Sequence, residues 1–227
     1  MRSILVVNQS TVVGPDQFAA GLAAVQQQVH EHFAPPWGGL DAQLIPGEAG
    51  QLGEVLYVLD DTDQADALGY HEVDPHGQPV GFVFARTALQ AGDSWTATLS
   101  HEVLEQLLDP LCRQTVVVPW SRRPAAVAYE VCDPVENDEY QLGGFPVSNF
   151  VFPHWFDPGP VPAGQRVDYL GRLVQPLTLS PGGYVAYSTN LKTWLQTVGI
   201  RCPNFQRLPA RFSRRSRRFA GRARLVP

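Results

Sequence analysis

The sequence lacks most features that mark exported, membrane-spanning or fibrous proteins. Its three cysteines in 227 residues are too few and too widely spaced for a disulfide framework, and they lack the CxxC spacing of a zinc knuckle. No apolar run reaches the roughly 18 residues that span a bilayer, and Ile4–Val7 is too short for a signal-peptide core. Charged residues make up 17% and hydrophobic residues 44%, which excludes a disordered chain. We therefore expect a soluble, cytoplasmic protein without a membrane partner.

Positive charge is scarce outside the C-terminal segment. Arg207–Pro227 holds eight of the 17 basic residues and no acid, which leaves nine basic residues against 22 acidic ones elsewhere. This segment is too polar and repetitive to fold alone, so we predict a single domain over residues 1–206 and a disordered Arg-rich tail over residues 207–227. Such a tail is suited to binding nucleic acid or another polyanion. The alternatives are that it docks on the acidic body or serves as a solubilising extension.

Short apolar runs bounded by turn residues alternate with helical patterns, which is typical of an α/β or α+β fold. The runs predict strands at Ile4–Val7, Ala42–Ile45, Val55–Leu59, Val80–Ala85, Thr115–Val118 and Gly183–Ser188. Helices are predicted from Pro15 to about Phe33 and over Ser94–Leu111, Ala125–Cys132 and Leu191–Val198. The polar stretch between Leu59 and Val80 predicts turns, with His71 and His76 exposed.

One predicted helix collects the residues that point to chemistry. At about 100° per residue, His101, Glu105, Asp109 and Glu102 fall within one arc, and the aliphatic residues fall on the opposite side. Like charges in one arc destabilise a helix, and this helix contains no Lys or Arg to offset them. A bound cation would remove the conflict. The alternative interpretation is an amphipathic helix with a solvated acidic face.

The stretch His101-Glu102-Val103-Leu104-Glu105 resembles the active-site helix of the zincin metallopeptidases, whose HExxH motif supplies two metal-binding histidines and a general-base glutamate. Here Glu105 replaces the second histidine, which gives HExxE. The resemblance implies a zincin-like core, His101 and Glu105 as metal ligands and Glu102 as the base. We expect zinc, with Mn²⁺ and Ca²⁺ as alternatives because a carboxylate favours harder ions.

The same resemblance implies a mixed sheet with an edge strand beside the active-site helix, and a further acidic ligand downstream. Val80–Ala85 is predicted to be that edge strand, along which an extended peptide would lie. Glu130 is the preferred third ligand because a helix over Ala125–Cys132 would hold it rigidly. Asp133 is a close second, since a residue before proline favours extended geometry. Glu136 is a third candidate, and the alternative for all three is an acidic loop or turn.

These residues predict a metal-dependent hydrolase of peptide or related amide bonds, acting on a peptide or protein substrate. Metal-activated water would attack the carbonyl, with Glu102 as general base. Tyr140 and His154 are candidate substrate contacts, and aromatic packing is the alternative role for both. Two other functions stay open: a non-catalytic metal-binding protein with a zincin-like fold, and a polyanion-binding scaffold that acts through the basic tail.

Overall fold

The computed structural model describes residues 2–64, 67–120, 123–191, 193–198 and 206–209. Its internal contacts divide the chain into two compact units. The first unit comprises Met1–Cys112 and Glu139–Ser148, and the second comprises Arg113–Asp138 and Asn149–Pro227. Helices and several sheets occur together, which is an α+β organisation. Among the described residues, no helix is both long and apolar enough to cross a membrane.

A five-stranded mixed sheet forms the first unit's centre. Its strands are β1 (Arg2–Asn8), β2 (Ala42–Pro46), β3 (Val55–Leu59), β4 (Gly69–Val73) and β5 (Pro79–Phe84). They lie in the order β2-β1-β3-β5-β4, with β4 antiparallel to its neighbour and the other pairs parallel. The apolar side chains of β1 and β3 are buried, as expected of central parallel strands. The four strands predicted in this region are confirmed, and β4 is an addition.

Three α-helices belong to the first unit: α1 (Pro15–Gln27), α2 (Ala85–Ala91) and α3 (Trp95–Leu108). A π-helical turn, Gln28–Phe33, continues α1, so the predicted extent of that helix is confirmed. Ser94 caps α3, because its Oγ accepts a hydrogen bond from the Thr96 N–H at 3.3 Å. The helix ends before Asp109, which precedes Pro110 and is disfavoured in helical geometry.

Helix α3 runs through the interior of the first unit, and all of its residues are buried. It packs against β4, β5 and the strand β9 (Phe145–Ser148), which forms a hairpin with β8 (Glu139–Leu142). Ser100 Oγ accepts a hydrogen bond from the Ser148 N–H at 2.7 Å and ties α3 to β9. The alternative of a solvated acidic face is therefore wrong, since the acidic arc is as buried as the aliphatic one.

The edge strand next to α3 is not the one predicted. Val80–Ala85 corresponds to β5, which lies between β3 and β4 and so cannot present a free sheet edge. The edge is β4, which precedes β5 in the sequence and pairs with it in a hairpin. The Asp74-Pro75-His76-Gly77 turn connects the two strands, and turn chemistry of this kind is a sign of a hairpin that the prediction left out.

An antiparallel sheet forms the centre of the second unit. Its strands are β6 (Thr115–Trp120), β7 (Arg123–Ala128), β10 (Tyr184–Ser188), β11 (Leu195–Val198) and β12 (Gln206–Pro209). They lie in the order β12-β11-β10-β7-β6. The strands predicted at Thr115–Val118 and Gly183–Ser188 are confirmed. The predicted Arg-rich tail begins within β12, and its remainder lies outside the described residues.

Two predicted helices of the second unit are strands. Ala125–Cys132 is wrong as a helix because β7 extends to Ala128 and pairs with β6 and β10. Leu191–Val198 is likewise wrong, since β11 pairs with β10. Alanine favours helix locally, but in β7 the segment Ala125–Ala128 is buried and its backbone is paired on both sides. Sheet pairing of this kind overrides a weak local propensity.

Candidate metal centre

The three HExxE residues lie on consecutive turns of α3, within the first unit. His101 is 5% exposed, Glu102 0% and Glu105 1%, so the motif is enclosed by protein. The i and i+4 spacing brings His101 Nε2 to 3.1 Å from Glu105 Oε1. The structure therefore brings these predicted ligands together on one face of the helix.

A second histidine reaches the same place from the sheet. His71 lies in β4, and its Nδ1 is 3.1 Å from Glu102 Oε2 and 3.9 Å from Glu105 Oε2. Its side chain is completely buried, so the prediction that His71 is exposed is wrong. The reason is that His71 belongs to a strand, with its side chain on the face that α3 covers. The Asp74-Pro75-His76-Gly77 turn before β5 is the sequence signal that could have found it, because such a turn indicates a hairpin whose first strand contains His71.

Burial sets the charge requirement of this cluster. Two carboxylates enclosed in protein are costly unless positive charge compensates them. Protonated imidazoles or a divalent cation can supply that charge, and imidazole nitrogen with carboxylate oxygen is a donor set that zinc accepts. Two ligands of one ion lie at most about 4.4 Å apart, twice a bond of roughly 2.2 Å. His101 Nε2 and His71 Nδ1 both pass this test, because they lie 3.1 Å and 3.9 Å from the Glu105 carboxylate oxygens, so these residues fit a cation.

The predicted third ligands lie in the second unit. Glu130 follows the end of β7 instead of projecting from a helix, so the reason for preferring it over Asp133 is lost. Asp133 begins a 3-10 turn, Asp133–Val135, and is not extended as its position before Pro134 predicted. Both side chains are buried, at 7% and 5% exposure. The turn at Asp133 agrees with the alternative of an acidic loop or turn, and a ligand role for either residue stays a prediction.

The two predicted substrate-contact residues, Tyr140 and His154, each have a hydrogen-bond partner within the protein. In the first unit, Tyr140 lies in β8, and its hydroxyl is 2.8 Å from His32 Nδ1. In the second unit, His154 lies in the 3-10 turn Pro153–Phe156 and its Nε2 is 3.0 Å from the Arg166 carbonyl oxygen, to which it donates. The His154 ring also contacts Phe152, in line with aromatic packing. Substrate contact by either residue stays a prediction.

The chain was compared with protein-family models, curated proteins and solved structures. No protein-family model, no curated protein and no solved structure matches the chain. The function of the chain is therefore inferred from the geometry of the cluster around α3.

Proposed function

We propose that the protein is a metal-dependent hydrolase of peptide or related amide bonds, with a zincin-like core in its first unit. The observation that carries the proposal is the enclosed HExxE motif, in which His101 Nε2 and Glu105 Oε1 are 3.1 Å apart and Glu102 is fully buried beside them. An imidazole and a carboxylate in this position are suited to zinc, and Mn²⁺ and Ca²⁺ are the alternatives.

The sheet against which α3 packs supports the proposal of a zincin-like core. A mixed sheet ends in the antiparallel edge strand β4, and α3 packs against this strand. A strand at a sheet edge can pair with an extended peptide through its main-chain groups, and Glu72 and Val73 are the residues of β4 that are partly exposed for such pairing. A peptide substrate on β4 would lie next to the helix that bears the HExxE motif.

His101 and Glu105 would hold the ion, and Glu130 or Asp133 stays the sequence-based prediction for a further ligand. When bound, a divalent ion polarises a carbonyl and lowers the pKa of water. An anionic ligand at position 105 leaves less of this Lewis acidity than a neutral imidazole would.

Glu102 is the proposed general base. Its side chain is held between α3 and β4, so its carboxylate has a fixed direction. In the proposed reaction it accepts the proton of the attacking water and delivers it to the leaving nitrogen, which restores its charge.

The experiment compares wild type with His101→Ala and Glu102→Gln. Metal content is measured by elemental analysis, and hydrolysis is measured by mass spectrometry on a peptide library in zinc, manganese or calcium. We expect His101→Ala to lose the metal, and Glu102→Gln to keep it while losing hydrolysis. Glu48→Gln, an exposed carboxylate outside the cluster, is the control.

The alternative of a non-catalytic metal-binding protein has its own outcome in this experiment. Stoichiometric metal with no cleavage by wild type on any library would favour a non-catalytic metal-binding protein. Absence of metal from wild type and His101→Ala alike would contradict the proposed metal site. Near wild-type hydrolysis by Glu102→Gln would remove this residue from the reaction. The polyanion-binding scaffold stays a prediction from the Arg-rich tail.

A further inference from the structure

The HExxE motif lacks the second imidazole of HExxH, and the fold supplies an imidazole from another element. Gly69 and His71 are two residues apart in β4, so they lie on the same face of the strand, and α3 covers this face. His71 pairs in register with Gly81 of β5, which has no side chain to separate the imidazole from the helix. The Cys112 thiol is 3.7 Å from the His71 carbonyl oxygen and adds a contact on the backbone of this residue.

Glu105 lies between the two imidazoles and presents a different oxygen to each. Its Oε1 is 3.1 Å from His101 Nε2, and its Oε2 is 3.9 Å from His71 Nδ1. The second separation is too long for a hydrogen bond but short enough for two ligands of one ion. A carboxylate placed in this way can bind a single ion with one or both oxygens, or bridge two ions.

Burial favours a ligand role over an ordinary structural role for His71. Its side chain has no exposed surface and Nδ1 faces two buried carboxylates, Glu102 and Glu105. Protons could balance both charges only if His71 and His101 were both charged, which would bury four charges in protein. A divalent cation would balance both carboxylates while each imidazole stays neutral, which is the form that binds zinc.

We infer that His71 is a metal ligand of this centre and that it shares Glu105 with His101. The inference rests on the proposed metal site and adds a ligand from β4 that the HExxE motif does not contain. Glu102 Oε2 lies 3.1 Å from His71 Nδ1, so the proposed base is adjacent to this ligand.

The test uses the full chain loaded with Zn²⁺ or Co²⁺, without any substrate. The variants are His71→Ala and His71→Asn, with His101→Ala as the control at the proposed site and His76→Ala as the matched control for an exposed histidine. Competition with a chelator gives the affinity and elemental analysis gives the ions per chain. Proton NMR of the Co²⁺ form counts the coordinated imidazoles through their shifted exchangeable N–H signals, and circular dichroism checks folding.

We expect two shifted imidazole signals in wild type and in His76→Ala, and one in each His71 variant. The affinity should fall by more than about 100-fold in both His71 variants, beyond the range typical of residues that only support a ligand. If His71 binds a second ion bridged by Glu105, elemental analysis will show two ions in wild type and one in these variants.

Other outcomes overturn the inference or the site itself, and they are distinguishable. A single imidazole signal that is retained in folded His71→Asn, together with loss of metal in His101→Ala, would show that His71 is not a ligand while the proposed site stands. Wild-type affinity and spectra in His101→Ala would overturn the proposed site, and the inference with it.

Discussion

Gly69 lies directly beneath Glu102 where α3 packs on β4. A Cβ atom at position 69 would be 3.1 Å from Glu102 Cγ, 2.9 Å from the Phe82 carbonyl oxygen and 2.6 Å from Thr98 Cγ2. The absence of a side chain therefore sets the distance between the helix and the sheet edge, and with it the position of the proposed base.

Gly69→Ala should destabilise the protein, because the added methyl group meets a backbone oxygen and a buried side chain that cannot both move away. We expect a loss of about 1–3 kcal/mol, the usual cost of overpacking, in urea unfolding followed by circular dichroism. Gly14→Ala is the control, since nothing lies within 4 Å of its added Cβ. Equal effects of the two substitutions would show that the contact with α3 is not tight.

Glu105→Gln should weaken metal binding strongly, because it removes the charge on the carboxylate that faces both His71 and His101. We expect an affinity loss of more than about 100-fold by chelator competition, compared with no change in Glu48→Gln. Retention of wild-type affinity in a folded Glu105→Gln protein would assign the ion to other residues and restrict the role of position 105 to packing.

Glu139 should make stability fall as the pH rises. Burial, followed by the nearby Asp93 carboxylate, raises the pKa of Glu139 from its ordinary 4.5 to about 7. The folded state then holds a proton that the unfolded state releases, so its contribution is complete below about pH 4.5 and is lost as the pH rises through 7. Glu139→Gln should reduce this loss in urea unfolding between these limits. An unchanged pH slope in the variant would contradict the assignment.

Asp60 should act in the opposite direction at low pH. Hydrogen bonds from the Ser10 and Thr11 hydroxyls, with the Arg86 guanidinium nearby, lower the pKa of Asp60 from 3.8 to about 2. Its contribution to stability is therefore present above about pH 3.8 and is lost as the pH falls through 2. Asp60→Asn should be less stable at neutral pH and should show a shallower acid transition. Identical acid transitions in wild type and Asp60→Asn would show that Asp60 does not contribute to the acid sensitivity of the fold.

Hydrophobic patterning predicted the parts of the fold that are locally determined. The strands at Ile4–Val7 and Val55–Leu59 and the helix α3 have apolar runs or periodicities that do not depend on distant neighbours. The segment Ala125–Cys132 failed because the helical preference of alanine is weaker than the pairing of β7 with two other strands. That pairing joins residues far apart in the sequence, which a local pattern cannot show.

The residues of the candidate site likewise include some that local sequence predicted and one that it could not. His101, Glu102 and Glu105 share one helix, so their spacing predicted their proximity. His71 lies 31 residues before Glu102 in the chain and reaches it only because β4 forms the sheet edge and α3 packs across it. Its participation depends on sheet order and register, which follow from tertiary packing.

The most direct test of the proposed metal centre is anomalous X-ray scattering from crystals of the full chain grown with zinc. If His101 and Glu105 bind the ion as proposed, an anomalous peak will lie at about 2.0–2.2 Å from His101 Nε2 and from the Glu105 carboxylate. Well-ordered His101 and Glu105 side chains with no peak between them, in crystals that contain saturating zinc, would contradict it.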